Sequence, residues 1–420
     1  MWIERLLADK VGVGTLEVTW ADGGRRSYGS GGPPRAQMVL HRPRALRRIA
    51  LDPEFMLGQT YMDGDWSAGE GGVPAVLAVL LRNSKRKAGA VKRAAHRALR
   101  PLQQWNRRAA ARRNAGAHYN LDQWLFRGFL DHELHYSCAY FRRPDMDLEA
   151  AQYAKCEHIR RKLLLRPGDR VLDIGCGWGS LALHLARREG KVQVVGLTLS
   201  EEQCRAARER VREEGLTDQV EIRLQDYREV TECFDRVVSV GMFEHVGAPY
   251  FSTYFRKVRD VLAEDGVAMI HTIGRITPPA LTNPWIRRHI FPGGYIPAVS
   301  EVAAAVERSG LVQTDLEILR LHYALTLSHW QRRFQALRPI VAERMGDRFC
   351  RMWEFYLAVS EAAFRWRGMA VLQFQLARDQ GAVPLTRDYL YGGEAAVSPV
   401  LSVRSEKALD RGLARRNIVD

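Results

Sequence analysis

Cysteine is scarce in this chain and is never paired at close spacing. Six of the 420 residues are cysteine, at positions 138, 156, 176, 204, 233 and 350, and no C-x-x-C pair occurs. That pattern excludes a disulfide scaffold and points to a reducing compartment. Long apolar runs are also missing. The longest, Val73 to Leu81, is far short of the ~20 residues that a membrane-spanning helix needs. No basic start followed by an apolar stretch opens the chain, so no secretory leader is expected. The expectation is a cytoplasmic protein that meets membranes, if at all, from the inner face as a peripheral partner. Acidic residues are short in supply as well: 48 Asp and Glu stand against 63 Lys and Arg, a formal net charge of +15. Such an excess implies a polyanionic partner, either nucleic acid or an anionic membrane surface.

The imbalance concentrates between 82 and 113, where twelve Lys or Arg stand with no Asp or Glu. Val91, Ala95, Ala98, Leu102, Trp105 and Ala109 recur there at spacings of three or four. That spacing suits a basic amphipathic helix for lipid headgroups, or a solvated linker. Residues 1–81 read as a small mixed N-terminal domain, with a strand at Leu16–Trp20 and a turn at Ala21–Gly24. From 148 the pattern alternates. Asp147 can cap a helix over Leu148–Leu165, and short apolar strands follow at Arg170–Ile174, Val192–Leu197, Val220–Leu224, Phe234–Val240 and Gly266–Thr272. Helical stretches between them predict an α/β fold with a largely parallel sheet and helices on both faces. Three more helical stretches follow Ser300, then a strand at Ala370–Ala377. The expected catalytic domain runs over 114–378, and 379–420 is a tail of no clear period.

The stretch Val171-Leu172-Asp173-Ile174-Gly175-Cys176-Gly177-Trp178-Gly179 is a buried strand entering a glycine-rich turn. Glycines let backbone approach a ligand beyond the carboxyl ends of the strands. Position 180 is Ser180, so the G-x-G-x-x-G dinucleotide fingerprint is not met. The D-x-G-x-G-x-G form resembles the first motif of class I S-adenosylmethionine methyltransferases. Thr198 stands where an acid for ribose hydroxyls is usual, with Gln203 nearby. Asp226 and Tyr227 offer a polar contact and an aromatic face for adenine. After the fourth strand there is no N-P-P-Y turn, but Gly241-Met242-Phe243-Glu244-His245-Val246-Gly247.

Several ordered segments then carry a family resemblance. They include His118–Leu121, His135–Phe141, Asp173–Gly179, Gly196–Gln203, Gly241–Gly247, His271–Gly274, Ile290–Pro297 and His322–Leu327, with Gly58–Trp66 extending it toward the N-terminus. Together they resemble the cyclopropane fatty acyl phospholipid synthases and the mycolic acid cyclopropane synthases. Asn120 departs from the family's usual Asp. The resemblance implies a Rossmann-like class I methyltransferase sheet plus a small N-terminal domain. It implies S-adenosylmethionine as methyl donor, an unsaturated phospholipid as substrate, and no metal. Cofactor contacts implied are Tyr136, Ser137, Asp173, Gly175, Gly177, Gly179, Thr198, Gln203, Asp226 and Tyr227.

The family chemistry sets an electrophilic methyl against an isolated alkene, a weak nucleophile. Alignment, exclusion of water and aromatic faces for the resulting cation are needed. The resemblance implies that a bound bicarbonate ion takes the proton, held by Cys138, Glu244, His271, the backbone of Ile273, and Tyr323. Phe349, Trp353, Tyr356 and Phe364 recur at helical spacing and suit either an acyl-chain tunnel or ordinary core. Two other activities remain open: fatty acyl C-methylation giving a methyl or methylene branch, and RNA methylation. The missing N-P-P-Y turn speaks against nucleic acid. A homodimer is compatible with the sequence.

Overall fold

The computed structural model describes residues 2–84 and 123–391. Most of the basic segment, the His118–Leu121 motif with Asn120, and residues 392–420 lie outside the described residues.

The N-terminal part holds helices α1 (Trp2–Lys10), α2 (Ala45–Leu51), α3 (Pro53–Met62) and α4 (Gly72–Asn83). They surround a four-stranded sheet of order β2-β1-β3-β4, with β1 Thr15–Thr19, β2 Arg25–Gly29, β3 Arg35–Leu40 and β4 Trp66–Ala68. Leu16 and Val18 alternate inward, which is why this short stretch is a strand. This part does not stand apart from the rest. A Cβ on Gly58 would lie 2.5 Å from the Phe355 ring and 2.8 Å from the Trp285 ring, so backbone packs directly on both aromatics. The Tyr61 hydroxyl donates to Glu354 Oε2 at 3.0 Å across the same seam.

The larger part contains α5 (Gln123–Phe129), α6 (Leu148–Leu163), β5 (Arg170–Ile174), α7 (Ser180–Arg188), β6 (Gln193–Thr198), α8 (Glu201–Glu213), β7 (Val220–Leu224) and β8 (Phe234–Val240). Then come α9 (Phe251–Val261), β9 (Leu262–Arg275), α10 (Pro284–His289), α11 (Val299–Glu307), β10 (Val312–Leu319), α12 (His322–Met345), α13 (Asp347–Trp366), β11 (Met369–Ala377) and α14 (Asp388–Tyr391). The sheet order is β10-β11-β9-β8-β5-β6-β7. Strands β5 to β9 pair in parallel, and β11 runs antiparallel between β9 and β10. Alternate residues feed opposite cores. Leu172, Val237, Ala268 and Ile270 pack with α9 and α11, whereas Val171, Val238 and Met269 pack with α6, α7 and α8. Period-two alternation with apolar residues on both faces is what a doubly covered sheet requires.

Asp147 caps α6 by accepting from the Ala150 N–H at 2.7 Å, and the helix ends at Leu163 rather than Leu165. Strand β9 is longer than its apolar centre suggests. Strand β10 was not expected from sequence. Its Asp315 pairs with Arg387, and its Glu317 pairs with buried Lys162 and with His158, both 2.6 Å away. These charges make the strand look like loop when read alone. Residues 379–391, expected as the start of a tail, dock on the sheet and on α6: Tyr389 donates to Gln375 at 3.0 Å and Arg161 donates to the Leu390 carbonyl at 2.8 Å.

Candidate active site

After β5 the chain continues to β6 on one side of the sheet, while β8 pairs with β5 on the other. The connections therefore part at the carboxyl end of β5, the place where open α/β sheets form a ligand crevice. A cleft opens there. Its wall is built from the ends of four parallel strands: Asp173 to Gly177 after β5, Leu197 to Ser200 with Gln203 after β6, Gln225 to Arg228 after β7, and Val240 to Met242 with His245 after β8. The loop Leu134–Ser137 and Lys155 of α6 close one end.

Gly175 has φ +87°, and a Cβ there would sit 2.7 Å from the Met242 side chain. Only glycine lets β5 turn this tightly against the β8 loop. Nine of the ten expected cofactor residues line the cleft. Gly179 does not; it takes φ +79° as the residue before α7, and a Cβ there would lie 3.2 Å from Ala207. The Thr198 hydroxyl lies 3.1 Å from Gln203 Oε1 and accepts from the Ser200 N–H at 3.2 Å, so the pair replacing the usual acid is already oriented. Asp226 is held by the Arg228 guanidinium, 2.8 Å at Nε and 2.5 Å at Nη2. Burial raises the Tyr227 hydroxyl to about 12, so the ring stays neutral.

The end of the cleft near α6 is polar in a way the sequence reading missed. Lys155 is 1 % exposed, and its ammonium donates to Ser137 Oγ at 3.1 Å. Among the described residues it has no carboxylate within salt-bridge distance. Asp173 is equally buried, and its Oδ2 has no hydrogen-bond partner among the described residues. Burial raises this acid to about 7, against a lowering by the Lys155 charge. A buried cation and an unsatisfied carboxylate oxygen in one cleft suit a zwitterionic amino-acid group. The residues therefore fit the methionyl end of S-adenosylmethionine, with Lys155 and Ser137 toward its carboxylate and Asp173 toward its ammonium. One signal for Lys155 was available: it occupies the apolar stripe of α6, in phase with Leu148, Ala151 and Ile159. Lys155→Met should weaken S-adenosylhomocysteine binding about 10- to 100-fold. Thermal stability should hold or rise, because the substitution removes a buried charge. Isothermal titration and thermal unfolding read the two effects separately.

The expected catalytic residues lie behind the cleft, not in its wall. Glu244 is buried in a short helical turn after β8, and its Oε1 accepts from the Ile273 N–H at 2.5 Å. Its Oε2 has no partner among the described residues. Burial raises the Glu244 carboxyl to about 7, opposed first by the Ile273 N–H and, more weakly, by its own backbone N–H and the Thr272 hydroxyl. His271 sits two residues before Ile273 on the same face of β9. Burial lowers its imidazole to about 3, so it is neutral. Gln373 Nε2 lies 3.1 Å from His271 Nδ1; with the amide donating, the ring hydrogen sits on Nε2. The Gln373 Oε1 is a second buried acceptor without a partner among the described residues.

Cys138 and Tyr323 come from other elements, the loop before α6 and the first turn of α12. Cys138 is fully buried, and burial pushes its thiol well up, so it is a protonated donor and not a nucleophile. Its neighbour Ala139 donates to Thr326 of α12, one turn after Tyr323, at 3.0 Å. Tyr323 meets Trp330 edge-on at 5.7 Å, and Trp330 stacks on Tyr136 at 5.2 Å. Tyr356 reaches the Tyr136 hydroxyl at 2.8 Å and Phe364 reaches Tyr323 at 4.9 Å. Phe349 and Trp353 stack together at 5.8 Å, with Trp353 packing on Phe126 and Phe129. Of the four expected tunnel aromatics, Tyr356 and Phe364 thus touch site residues while Phe349 and Trp353 belong to the aromatic core. Lys155 links the two halves: its charge acts on Cys138, His271 and Asp173.

A seven-stranded sheet with one antiparallel strand, a glycine turn after β5 and a cleft at the carboxyl ends of four parallel strands define a class I methyltransferase fold. A family model described as mycolic acid cyclopropane synthetase matches residues 106–374. The chain belongs to that family. It is 38% identical to a cyclopropane-fatty-acyl-phospholipid synthase of Escherichia coli, over 83% of this chain and 89% of the relative. It is 37% identical to a tuberculostearic acid methyltransferase of Mycobacterium tuberculosis, over 87% of this chain and 88% of the relative. Among solved structures, the cyclopropane synthase MmaA2 of Mycobacterium tuberculosis matches with TM-score 0.60 and 34% identity, covering 63% of this chain and 98% of that one. The mycolic acid cyclopropane synthase CmaA1 complexed with SAH and CTAB matches with TM-score 0.59 and 34% identity, covering 63% and 97%.

Proposed function

We propose that this protein is a cyclopropane fatty acyl phospholipid synthase acting on unsaturated acyl chains at an anionic membrane surface. The observation that carries this reading is Glu244: a buried acid with one oxygen fixed by Ile273 and the other without a partner, directly after the strand that walls the cofactor cleft. S-adenosylmethionine, when bound, supplies an electrophilic methyl group. The chain's own residues then do three things. The cleft orients the donor through Asp173, Lys155, Thr198 and Gln203. Tyr136, at the end of the cleft and backed by its stack on Trp330, offers an aromatic ring suited to stabilising positive charge on the acyl chain. Glu244 and its neighbours handle the released proton.

Bicarbonate suits this cluster. Glu244 Oε2, the His271 Nε2–H and the Tyr323 hydroxyl would supply one acceptor and two donors to such an anion. The Ile273 N–H is already engaged by Glu244 Oε1, so its part is to hold the acid. Among the described residues no helix is long and apolar enough to cross a membrane. The net charge of +15 suits attraction to anionic lipid from the surface.

The test is lipid analysis after expression in a host that makes unsaturated but no cyclopropane lipids. Acyl chains should gain one CH₂, and fragmentation should show a ring at the former double bond. A branched, ring-free product would favour acyl C-methylation, the reading that the similarity to the tuberculostearic acid methyltransferase supports. Binding to anionic liposomes with release by salt checks the surface; RNA binding in its place would overturn the lipid reading.

A further inference from the structure

At one end of the cleft, partly in its wall, lies a cluster that the proposed chemistry does not use. His135 Nδ1 lies 2.8 Å from Asp131 Oδ2, and its Nε2 lies 3.2 Å from Cys156 Sγ. The Asp131 carboxylate also accepts from the His135 N–H at 2.9 Å, fixing the ring's base. A carboxylate only accepts, so Nδ1 carries a hydrogen and Nε2 faces the sulfur. All three residues are buried: 1 % exposed for Asp131, 8 % for His135 and 0 % for Cys156. Burial alone would push the Cys156 thiol up. The His135 and Lys155 charges, the His135 hydrogen bond and the more distant His184 win, and draw it down to about 6. The opposing charge facing it is Asp173. Burial lowers the His135 imidazole, but the Cys156 charge and the Asp131 hydrogen bond raise it overall, against Lys155. The other four buried cysteines, 138, 176, 204 and 350, are shifted upward.

Position gives the cluster a consequence. His135 lines the cofactor cleft beside Tyr136 and Ser137, and its ring reaches from there to the sulfur. Gln152 donates to the carbonyls of His135 and Ser137 at 3.3 and 3.0 Å, tying this loop to α6, the helix that also carries Lys155 and Cys156. We infer that Asp131, His135 and Cys156 form a reactive-thiol site that small peroxides oxidise through the empty cleft, and that oxidation closes the cleft to its nucleoside ligand. The thiolate sulfur attacks one oxygen of hydrogen peroxide; the S–O bond forms and the O–O bond breaks. Sulfur is oxidised by two electrons to the sulfenic acid. The leaving hydroxide takes the Nε2 proton of His135 and departs as water. The neutral imidazole has then lost its ionic partner, and the added oxygen occupies the space against the ring. The closing part rests on the cofactor reading of the cleft; the thiol chemistry does not.

The full chain carrying Cys233→Ser, which removes the exposed thiol, is treated with hydrogen peroxide and a sulfenic-acid trap and mapped by peptide mass. Labelling at Cys156 should exceed every other cysteine by about tenfold or more. Saturating S-adenosylhomocysteine should suppress it by about tenfold, and oxidised protein should bind that ligand about tenfold more weakly by titration. His135→Asn should slow labelling at an unchanged unfolding temperature. No label at Cys156, or equal label at Cys138 and Cys176, overturns the reactive site. Label that the ligand neither blocks nor loses affinity to overturns the closing of the cleft. Untreated protein that fails to bind the ligand overturns the cofactor reading and the closure with it, while the label is still read on its own.

Discussion

Glu244→Gln should cut turnover about 10²- to 10⁴-fold and leave S-adenosylhomocysteine affinity nearly unchanged. Glutamine keeps the shape and can still accept from the Ile273 N–H, so the fold around β8 and β9 has no reason to change. What it removes is an oxygen that takes a proton, or an O–H from a bound anion. The pH dependence carries the sharper signature. Burial raises the acid to about 7, so at about pH 6 most of it is protonated and unable to accept. Turnover at saturating cofactor should rise with pH through about 7 and level off near about 8. The residual rate of the glutamine variant should lack this limb. Asp173 titrates in the same range, but its effect falls on cofactor binding and enters KM; kcat isolates Glu244. A flat wild-type kcat profile, or full turnover in the variant, would remove Glu244 from the reaction.

That carboxylate was legible in the sequence because local signals and family motifs agreed on it: a strand, a glycine and an acid between an aromatic and a histidine. The glycine turn was legible for the same reason, since Gly175 must adopt a positive φ wherever the chain is folded this way. Residues whose role depends on a distant partner were not. Lys155 stands out in the apolar stripe of α6, but its role appears only when the fold brings Ser137, Asp173 and Cys138 around it. Gln373 becomes part of the site only because β11 inserts antiparallel beside β9, pairing it with His271. Trp330 acquires meaning from a stack on Tyr136, nearly two hundred positions away. Strand β10 hid behind Asp315 and Glu317, whose counter-charges come from α6 and from residue 387. In each case the missing information was long-range pairing of side chains, which periodicity does not encode.

Asp173→Asn should weaken S-adenosylhomocysteine binding about 30- to 100-fold at neutral pH. It replaces an unsatisfied carboxylate oxygen, the one built to face the ligand's ammonium, with a neutral amide. In the wild type, affinity should climb with pH through about 7, because the ligand needs the ionised acid and burial holds it protonated below that. Below the midpoint the slope approaches about tenfold per pH unit, one proton lost per ligand bound. The asparagine variant has no such proton to lose and should show a flat profile. Without ligand the sign for stability reverses. Burial tolerates the neutral acid, so its contribution is full below the ordinary value of 3.8 and is lost as pH rises through about 7. Lys155 supplies a cross-check. Its charge is what lowers the Asp173 value against burial, so Lys155→Met should move the midpoint of the binding profile to higher pH as well as reduce affinity. Titrations of the three proteins at several pH values decide this. A wild-type affinity that is independent of pH, or a midpoint that stays put in Lys155→Met, would show that the two buried charges do not share the ligand's amino-acid end.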